Sequence, residues 1–263
     1  MRTVNESVAK VLRECAARFE TASFLDGDPS WFMHQVDGAA NREATAFVAS
    51  ALSFGSRSQF MPKVQWLLDR AGGDMDAWVR SGAFEADVPP DASRCFYRFF
   101  TFESMNAFLR TYRGVMGEHG TLGDYVRREA GGDGARAVEA ICRRFNSRGG
   151  ASVVPCACSA CKRVCMFLRW MVRDGSPVDL GLWAGFIDKG TLVMPLDTHV
   201  VQEACRLGLL KSRAASMSAA RRLTAALAEV FPGDPLRGDF ALFGVGVSSR
   251  HSGGGPAEAE VLV

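Results

Sequence analysis

The sequence predicts an all-α protein, and the spacing of apolar residues is the main reason. In the run ANREATAFVASALSFG, apolar residues recur every three or four positions from Ala44 to Leu52, as on one face of a helix that ends at Gly55. Alternation with period two is nowhere sustained beyond a few positions, although GTLVMPL (190–196) fits a short extended piece. We therefore expect helices to form most of the structure.

Three further segments repeat the helical pattern. One runs from Val164 to Met171, a second begins near Ser218 and stops at Pro232, and a third follows Pro235. The aromatic run CFYRFFTF is suited to stacking on bases, but packing in the core or anchoring a loop is the stronger interpretation.

The composition is that of a single globular unit. A chain of 263 residues with 48% hydrophobic and 23% charged residues can bury a substantial core. The turn-forming stretches between the predicted helices are too short to separate domains. We expect one helical unit over residues 1–250, a flexible Gly-rich tail over 251–263, and a monomer.

Hydropathy gives no reason to expect a membrane segment. No apolar stretch approaches the ~18 residues that span a bilayer, and the first twenty residues form an amphipathic segment and not a signal peptide. We therefore expect a cytoplasmic protein whose eight cysteines are reduced thiols.

Positive charge is concentrated in one part of the chain. The net charge is only +2, but residues 136–173 contain eight cationic side chains and one acid, Glu139. Such an excess suits either a phosphate-facing patch or a solvated basic face.

Four cysteines lie in the run PCACSACKRVC, at Cys156, Cys158, Cys161 and Cys165. Four ligands in ten residues, the last of them within a helix, make a poor tetrahedral cage, although an iron–sulfur cluster is geometrically possible. We expect no metal and no cofactor. Instead, Cys165 should pack in the core, and Cys161 should be somewhat acidic at a helix N-terminus.

Two predicted helix N-termini carry side chains that are suited to catalysis. Lys162 opens the helix after the cysteine run, and Asp197 precedes a helix that starts at Thr198 and stops at Gly208. The positive end of a helix disfavours a lysine cation and holds an aspartate as the carboxylate. An amine nucleophile beside a fixed carboxylate suits attack on an electron-poor carbon. A surface lysine and an ordinary capping aspartate are the alternative.

Three segments resemble the helix-hairpin-helix DNA glycosylases, the superfamily of endonuclease III and 8-oxoguanine glycosylase. MPLDTHVVQEACRLGLL resembles its catalytic-aspartate segment, EATAFVASALSFGSRSQF its early helix and DNA-approaching turn, and GDFALFGVGV the helix that closes the fold. The three matches follow the superfamily's order. Taken whole, the chain also resembles a bacterial family known only as a domain of unknown function.

The resemblance implies a two-lobed all-α fold with the active site in the cleft between the lobes. It implies a base-excision DNA glycosylase with AP lyase activity, acting on an oxidised purine such as 8-oxoguanine. The partner would be double-stranded DNA with a damaged base, flipped out of the helix, and the protein would be nucleoid-associated. Asp197 matches the catalytic aspartate, and Lys162 is the candidate Schiff-base lysine. The residues expected to contact DNA are Ser53, Gly55, Arg57, Ser159, Arg163, Arg169, Arg173 and His199.

Departures from the superfamily pattern keep other functions open. The Gly-x-Gly turn before the lysine is replaced by SACK, and Gly55 stands where many members carry a DNA-wedging glutamine. Lys189 is a second candidate nucleophile. A non-catalytic module that senses damaged or unusual DNA is therefore an alternative, and a metal or redox sensor based on the cysteine run is another.

Overall fold

The computed structural model describes residues 3–146, 153–155 and 159–252, the last five by their backbone alone. Helices account for 64% of the structure and strands for 2%, which confirms the predicted helical class. Residues 253–263 of the expected flexible tail lie outside the described residues.

The α-helices are numbered in chain order. They are α1 (Glu6–Phe19), α2 (Ala39–Leu52), α3 (Arg57–Arg70), α4 (Met75–Ser81), α5 (Phe84–Asp87), α6 (Phe102–His119), α7 (Leu122–Ala130), α8 (Gly134–Asn146), α9 (Lys162–Val172), α10 (Thr198–Arg206), α11 (Met217–Val230) and α12 (Arg237–Ser252). Short 3₁₀ helices cover Ala22–Leu25, Pro29–His34 and Lys189–Thr191.

Local sequence fixes several helix starts. The Ser216 side chain accepts a hydrogen bond from the backbone N–H of Ala219 at the start of α11. Thr101 and Ser104 form a reciprocal capping box at the start of α6. These polar side chains satisfy backbone N–H groups that have no partner within the helix, which favours initiation at these points.

The centre of the molecule is α2. All residues from Glu43 to Leu52 are buried, so the helix is enclosed on every side and not only along the single apolar face expected from its periodicity. Helices α3, α4 and α9 and the 3₁₀ helix Pro29–His34 pack around it. Small residues such as Ala44 and Ala51 allow this close approach.

Helices from the two ends of the chain pack together. Helix α1 lies against α11 and α12, and α10 lies against α12. Within the middle of the chain, α6 packs against α4, α7 and α8, and α8 packs against α9. One hydrophobic core runs through both sets of helices.

The described part of the chain contains one short hairpin, which the sequence pattern does not reveal. Strand β1 (Cys95–Tyr97) pairs antiparallel with β2 (Phe100–Thr101). Phe96, Tyr97 and Phe100 are buried, so most of this aromatic run packs in the core as predicted. The GTLVMPL segment leaves the 3₁₀ helix at Thr191 and continues without helical or strand structure to the start of α10.

A buried carboxylate joins α2 to α7. Glu43 accepts hydrogen bonds from the backbone N–H groups of Leu122 (2.9 Å) and Gly123 (3.2 Å) and from the indole of Trp183 (2.9 Å). A Cβ at residue 123 would lie 2.7 Å from the Trp183 indole nitrogen, so this approach requires glycine. Burial raises the pKa of Glu43 to about 7, against the effect of the three donors.

The stability contributed by Glu43 is expected to fall as pH rises from its ordinary pKa of 4.5 to about 7. In this window the folded protein retains a proton that the unfolded chain has released, so rising pH favours unfolding, by roughly 3 kcal/mol in total. Urea unfolding of the wild type and of Glu43→Gln across this window measures the effect, because glutamine does not titrate. If the wild type instead gained stability over the variant with rising pH, the three donors would outweigh burial.

No helix among the described residues is both long enough and apolar enough to cross a membrane.

Candidate functional site

A cavity of about 600 Å³ is lined by residues of α3, α9, α10 and α12 and of the segment between α2 and α3. This volume is within the ~300–1,000 Å³ that is usual for ligand sites. Nine of the ten residues that the sequence singled out line the cavity, and Arg173 does not; the nine are Ser53, Gly55, Arg57, Ser159, Lys162, Arg163, Arg169, Asp197 and His199.

Lys162 is the first residue of α9, as expected from the sequence. The preceding residue, Cys161, has a φ of 49°, in the left-handed region that residues other than glycine rarely adopt. This turn precedes the first residue of the helix, and Lys162 lies on the cavity with one third of its side chain exposed to solvent.

Asp197 is the N-cap of α10, and this prediction is confirmed. Its Oδ1 accepts a hydrogen bond from the backbone N–H of Val200 at 2.9 Å. Gly208 follows the helix with a φ of 74°, the left-handed conformation expected at a helix C-terminus. The cap fixes one carboxylate oxygen and leaves the other directed towards Lys162.

The amine and the carboxylate meet across the cavity. Lys162 Nζ lies 3.8 Å from Asp197 Oδ2, and the two side chains are 33% and 36% exposed. The pair is 35 residues apart in sequence and is brought together by the starts of two helices. Closing this distance to about 3.2 Å or less would bring the amine within hydrogen-bond reach of the carboxylate, where it can pass on a proton and then act as a nucleophile.

Three further acids on the cavity wall, Asp239, Asp28 and Glu203, were not identified from the sequence. Asp239, in the first turn of α12, accepts a hydrogen bond from Arg169 and is largely buried. Its burial raises the pKa of the carboxyl, and the Asp197 charge acts in the same direction. Asp28 accepts a hydrogen bond from Arg57 at 3.3 Å. Asp239 lies within the GDFALFGVGV segment. The resemblance of this segment to the helix that closes the glycosylase fold was the only sequence feature that could have indicated Asp239 as a site residue.

Arg169 and Arg173, which were expected from the sequence to contact DNA, are not part of a solvated basic face. Their side chains are only 3% and 1% exposed. Asp179, itself fully enclosed, accepts hydrogen bonds from both of them. Arg169 still lines the cavity, but its guanidinium is held by Asp179 and Asp239 and is not presented to solvent.

Arg173 joins three separate segments of the chain. Its guanidinium also bonds Glu20, after α1, at 2.6 Å, and Asp234, before α12, at 2.8 Å. A cation buried among three acids is a structural element, and phosphate contact by Arg173 is ruled out in this conformation.

The side chains of Ser53 and Arg163 also donate hydrogen bonds to backbone carbonyl groups within the fold. Ser53 Oγ donates to the carbonyl of Ala49 at 2.7 Å, and its side chain is buried. Arg163 donates to the carbonyls of Ala51 and Val153 and lies over the Phe54 ring. Burial lowers the pKa of Arg163 to about 10. Both residues therefore shape the cavity wall.

Gly55 lies beneath the β1–β2 hairpin. A Cβ at Gly55 would collide with the Arg98 guanidinium and lie 2.6 Å from the Tyr97 hydroxyl. The Tyr97 hydroxyl donates to the carbonyl of Phe54. Phe99, at the hairpin tip, is 63% exposed and lies 5.1 Å from the Phe54 ring. The hairpin thus adds an exposed aromatic residue beside the cavity, which sequence reasoning missed.

The remaining polar candidates on the cavity are Ser159 and His199. Ser159 is exposed, and its hydroxyl accepts a hydrogen bond from the Cys161 backbone N–H at 3.2 Å. His199, in the first turn of α10, is partly buried on the same cavity. Lys189 does not line it; its amine pairs with Asp174 at 2.5 Å.

The cysteine run is described in part, because Cys156 and Cys158 lie outside the described residues. Cys165 is buried, as predicted, and burial raises the pKa of its thiol. Cys161 Sγ lies 3.6 Å from the Sγ of Cys142 on α8. Within the described part of the chain, no three His, Cys, Asp or Glu side chains are grouped as metal ligands.

Fold and site together define an all-α protein that holds an amine and a carboxylate at one interhelical cavity. By comparison with protein families, the chain belongs to the family described as "Protein of unknown function (DUF2400)", whose model matches residues 28–248. The matched range contains the whole cavity lining except Phe24. No curated protein and no solved structure matches the chain.

Proposed function

We propose that the protein is a base-excision DNA glycosylase with AP lyase activity. The observation that carries this proposal is the Lys162–Asp197 pair at 3.8 Å on a cavity of about 600 Å³. The proposal includes a two-lobed arrangement like that of the helix-hairpin-helix glycosylases. The cavity is lined by residues of α3 and α9 together with residues of α10 and α12, and this contribution from two groups of helices supports it.

In the proposed reaction, Asp197 first accepts a proton from the Lys162 ammonium group. Nζ of Lys162 then attacks C1′ of a flipped-out nucleotide, the C1′–N bond breaks, and its electron pair leaves with the base, which takes up a proton. The base takes this proton from Asp197, and the carboxylate restored in this way stabilises the positive charge on the sugar. Opening of the sugar gives an imine to Lys162, from which elimination of the 3′ phosphate cleaves the strand.

Binding of damaged double-stranded DNA is part of the proposal. Arg57, Ser159 and His199 line the cavity, and Phe99 has an exposed ring that is suited to stacking. The choice of an oxidised purine, such as 8-oxoguanine, follows from the family resemblance alone.

Borohydride trapping on damaged duplexes tests the proposal. Borohydride reduces an imine to a stable amine, so the wild type should become covalently attached to an oligonucleotide that contains 8-oxoguanine or an abasic site. Lys162→Ala and Lys162→Arg should form no adduct, and the arginine variant keeps the charge. Lys189→Ala is the matched control and should be trapped like the wild type.

Two outcomes would overturn the proposal in different ways. An adduct that persists in both Lys162 variants would assign the nucleophile to another amine. Absence of both adduct and base release, with duplex binding intact, would favour a non-catalytic DNA-binding module. The missing Gly-x-Gly turn before Lys162 is the observation that supports this second function.

A further inference from the structure

Two thiols lie in contact behind the candidate site. Cys142, in α8, and Cys161, immediately before Lys162, have their sulfur atoms 3.6 Å apart. Neither residue is in a disulfide, and only 1% of the surface of each is exposed. Cys161 forms part of the cavity wall, so a small molecule that enters the cavity reaches this residue.

The surroundings of the two sulfurs are unequal. The hydrogen bond donated by Cys142 lowers the pKa of Cys161 to about 7, helped by Ser159 and by the positive charge of Arg163. The same hydrogen bond, together with burial, raises the pKa of Cys142. Since the thiolate is the reactive form of cysteine, Cys161 is the nucleophile of the pair. Cys142 is the resolving thiol, which reacts with Cys161 after Cys161 has been oxidised.

We propose that Cys161 and Cys142 form a redox modification site that a hydroperoxide converts to a disulfide. The Cys161 sulfur attacks the terminal oxygen of the hydroperoxide; an S–O bond forms, the O–O bond breaks, and the remainder leaves as an alcohol, or as water from hydrogen peroxide, after taking a proton. This step leaves Cys161 as a sulfenic acid.

The second step uses the neighbouring thiol. The Cys142 sulfur attacks the Cys161 sulfur; the S–S bond forms, the S–O bond breaks, and hydroxide leaves as water with the proton of Cys142. The two thiols have then lost two electrons and two protons, and the hydroperoxide has been reduced. The sulfurs must approach by about 1.5 Å to reach the disulfide bond length.

The disulfide would tie α8 to the residue that precedes Lys162. Its formation does not depend on the proposed DNA chemistry. Loss of Lys162 reactivity on oxidation does rest on the proposed function, because the amine is one residue from the new bond.

Peptide mapping of the full-length protein tests the site directly. The reduced protein is treated with hydrogen peroxide, its free thiols are alkylated, and its peptides are analysed by mass spectrometry. A crosslink between the peptides that contain Cys142 and Cys161 is expected, with loss of two hydrogen atoms and reversal by dithiothreitol. Cys142→Ala should stop at oxidised Cys161, and Cys95→Ala, at an exposed thiol, should leave the crosslink unchanged.

The wild-type map decides the proposal even if a variant fails to fold. A peroxide-induced disulfide from Cys161 to any other cysteine, including Cys156 or Cys158, would overturn it, as would alkylation of Cys142 and Cys161 at their full initial level. Borohydride trapping before and after oxidation tests only the link to Lys162: a disulfide without loss of trapping separates the redox site from the proposed catalysis.

Discussion

Replacement of Arg173 with methionine is expected to lower the free energy of unfolding by about 3–5 kcal/mol. The guanidinium is 1% exposed and contacts Glu20, Asp179 and Asp234. Methionine fills much of the same volume, but it leaves three acids without their shared cation, two of them largely buried and one fully enclosed. Uncompensated buried charge is among the most destabilising changes that a single substitution can cause. Urea unfolding at neutral pH measures the loss.

The matched control is Arg221→Met. Arg221 pairs with Glu139 at 3.1 Å, but both side chains are more than half exposed, and such pairs contribute about 0–1 kcal/mol. Equal effects of the two substitutions would show that the Arg173 network is not stabilising as described. A fully stable Arg173→Met protein would show that the three acids find other partners or protons.

Replacement of Asp197 with asparagine is expected to slow base release by at least about a hundredfold while the fold is kept. Asparagine caps a helix about as well as aspartate, so the hydrogen bond from Val200 and the start of α10 should persist. The negative charge beside Lys162 is lost, together with the group that takes its proton. Single-turnover base release from a lesion-containing duplex, with a thermal melt of each protein, measures both effects.

Asp74→Asn provides the same chemical change at another helix start. Asp74 caps α4 by accepting a hydrogen bond from Ala77 at 3.0 Å and does not line the cavity. This variant should match the wild type in both assays. If Asp197→Asn also released base at the wild-type rate, Asp197 would be a structural cap only, and the proposed mechanism would fail.

The local parts of the candidate site were predictable from sequence. Asp197 is an N-cap because its short side chain accepts a hydrogen bond from a backbone N–H three residues later, a relationship contained within one turn. Lys162 begins α9 because an apolar helical pattern starts beside it. Their proximity is a tertiary property, which the family resemblance implied and spacing alone did not determine.

The role of the neighbouring arginines was not predictable from the helix pattern. Lys162, Met166 and Arg169 share a face, and all three line the cavity. Asp179 is near in sequence, but the other partners that bury Arg169 and Arg173 come from distant segments: Glu20, Asp234 and Asp239. A pattern along one helix identifies which side chains share a face but gives no information about the acids that approach that face from elsewhere.

The hairpin was missed for a different reason. Its strands contain three and two residues, too few for alternation to be recognised. Arg98, between them, has a φ of 53°, a conformation that only the surrounding packing can impose on arginine. The absence of a side chain at Gly55 is explained by this packing, because the hairpin occupies the space.

Helix α1 is part of the packed structure, although it precedes the residues that match the family model. The family match begins at residue 28, whereas α1 covers Glu6–Phe19. Its last turn packs so closely on α12 that a Cβ at Gly244 would collide with the Phe19 ring, and Glu20, just beyond it, binds Arg173. A chain shortened to the matched residues would therefore uncover an apolar side of α12 and break a charge cluster at once. The smallest fragment able to fold as this molecule does includes α1.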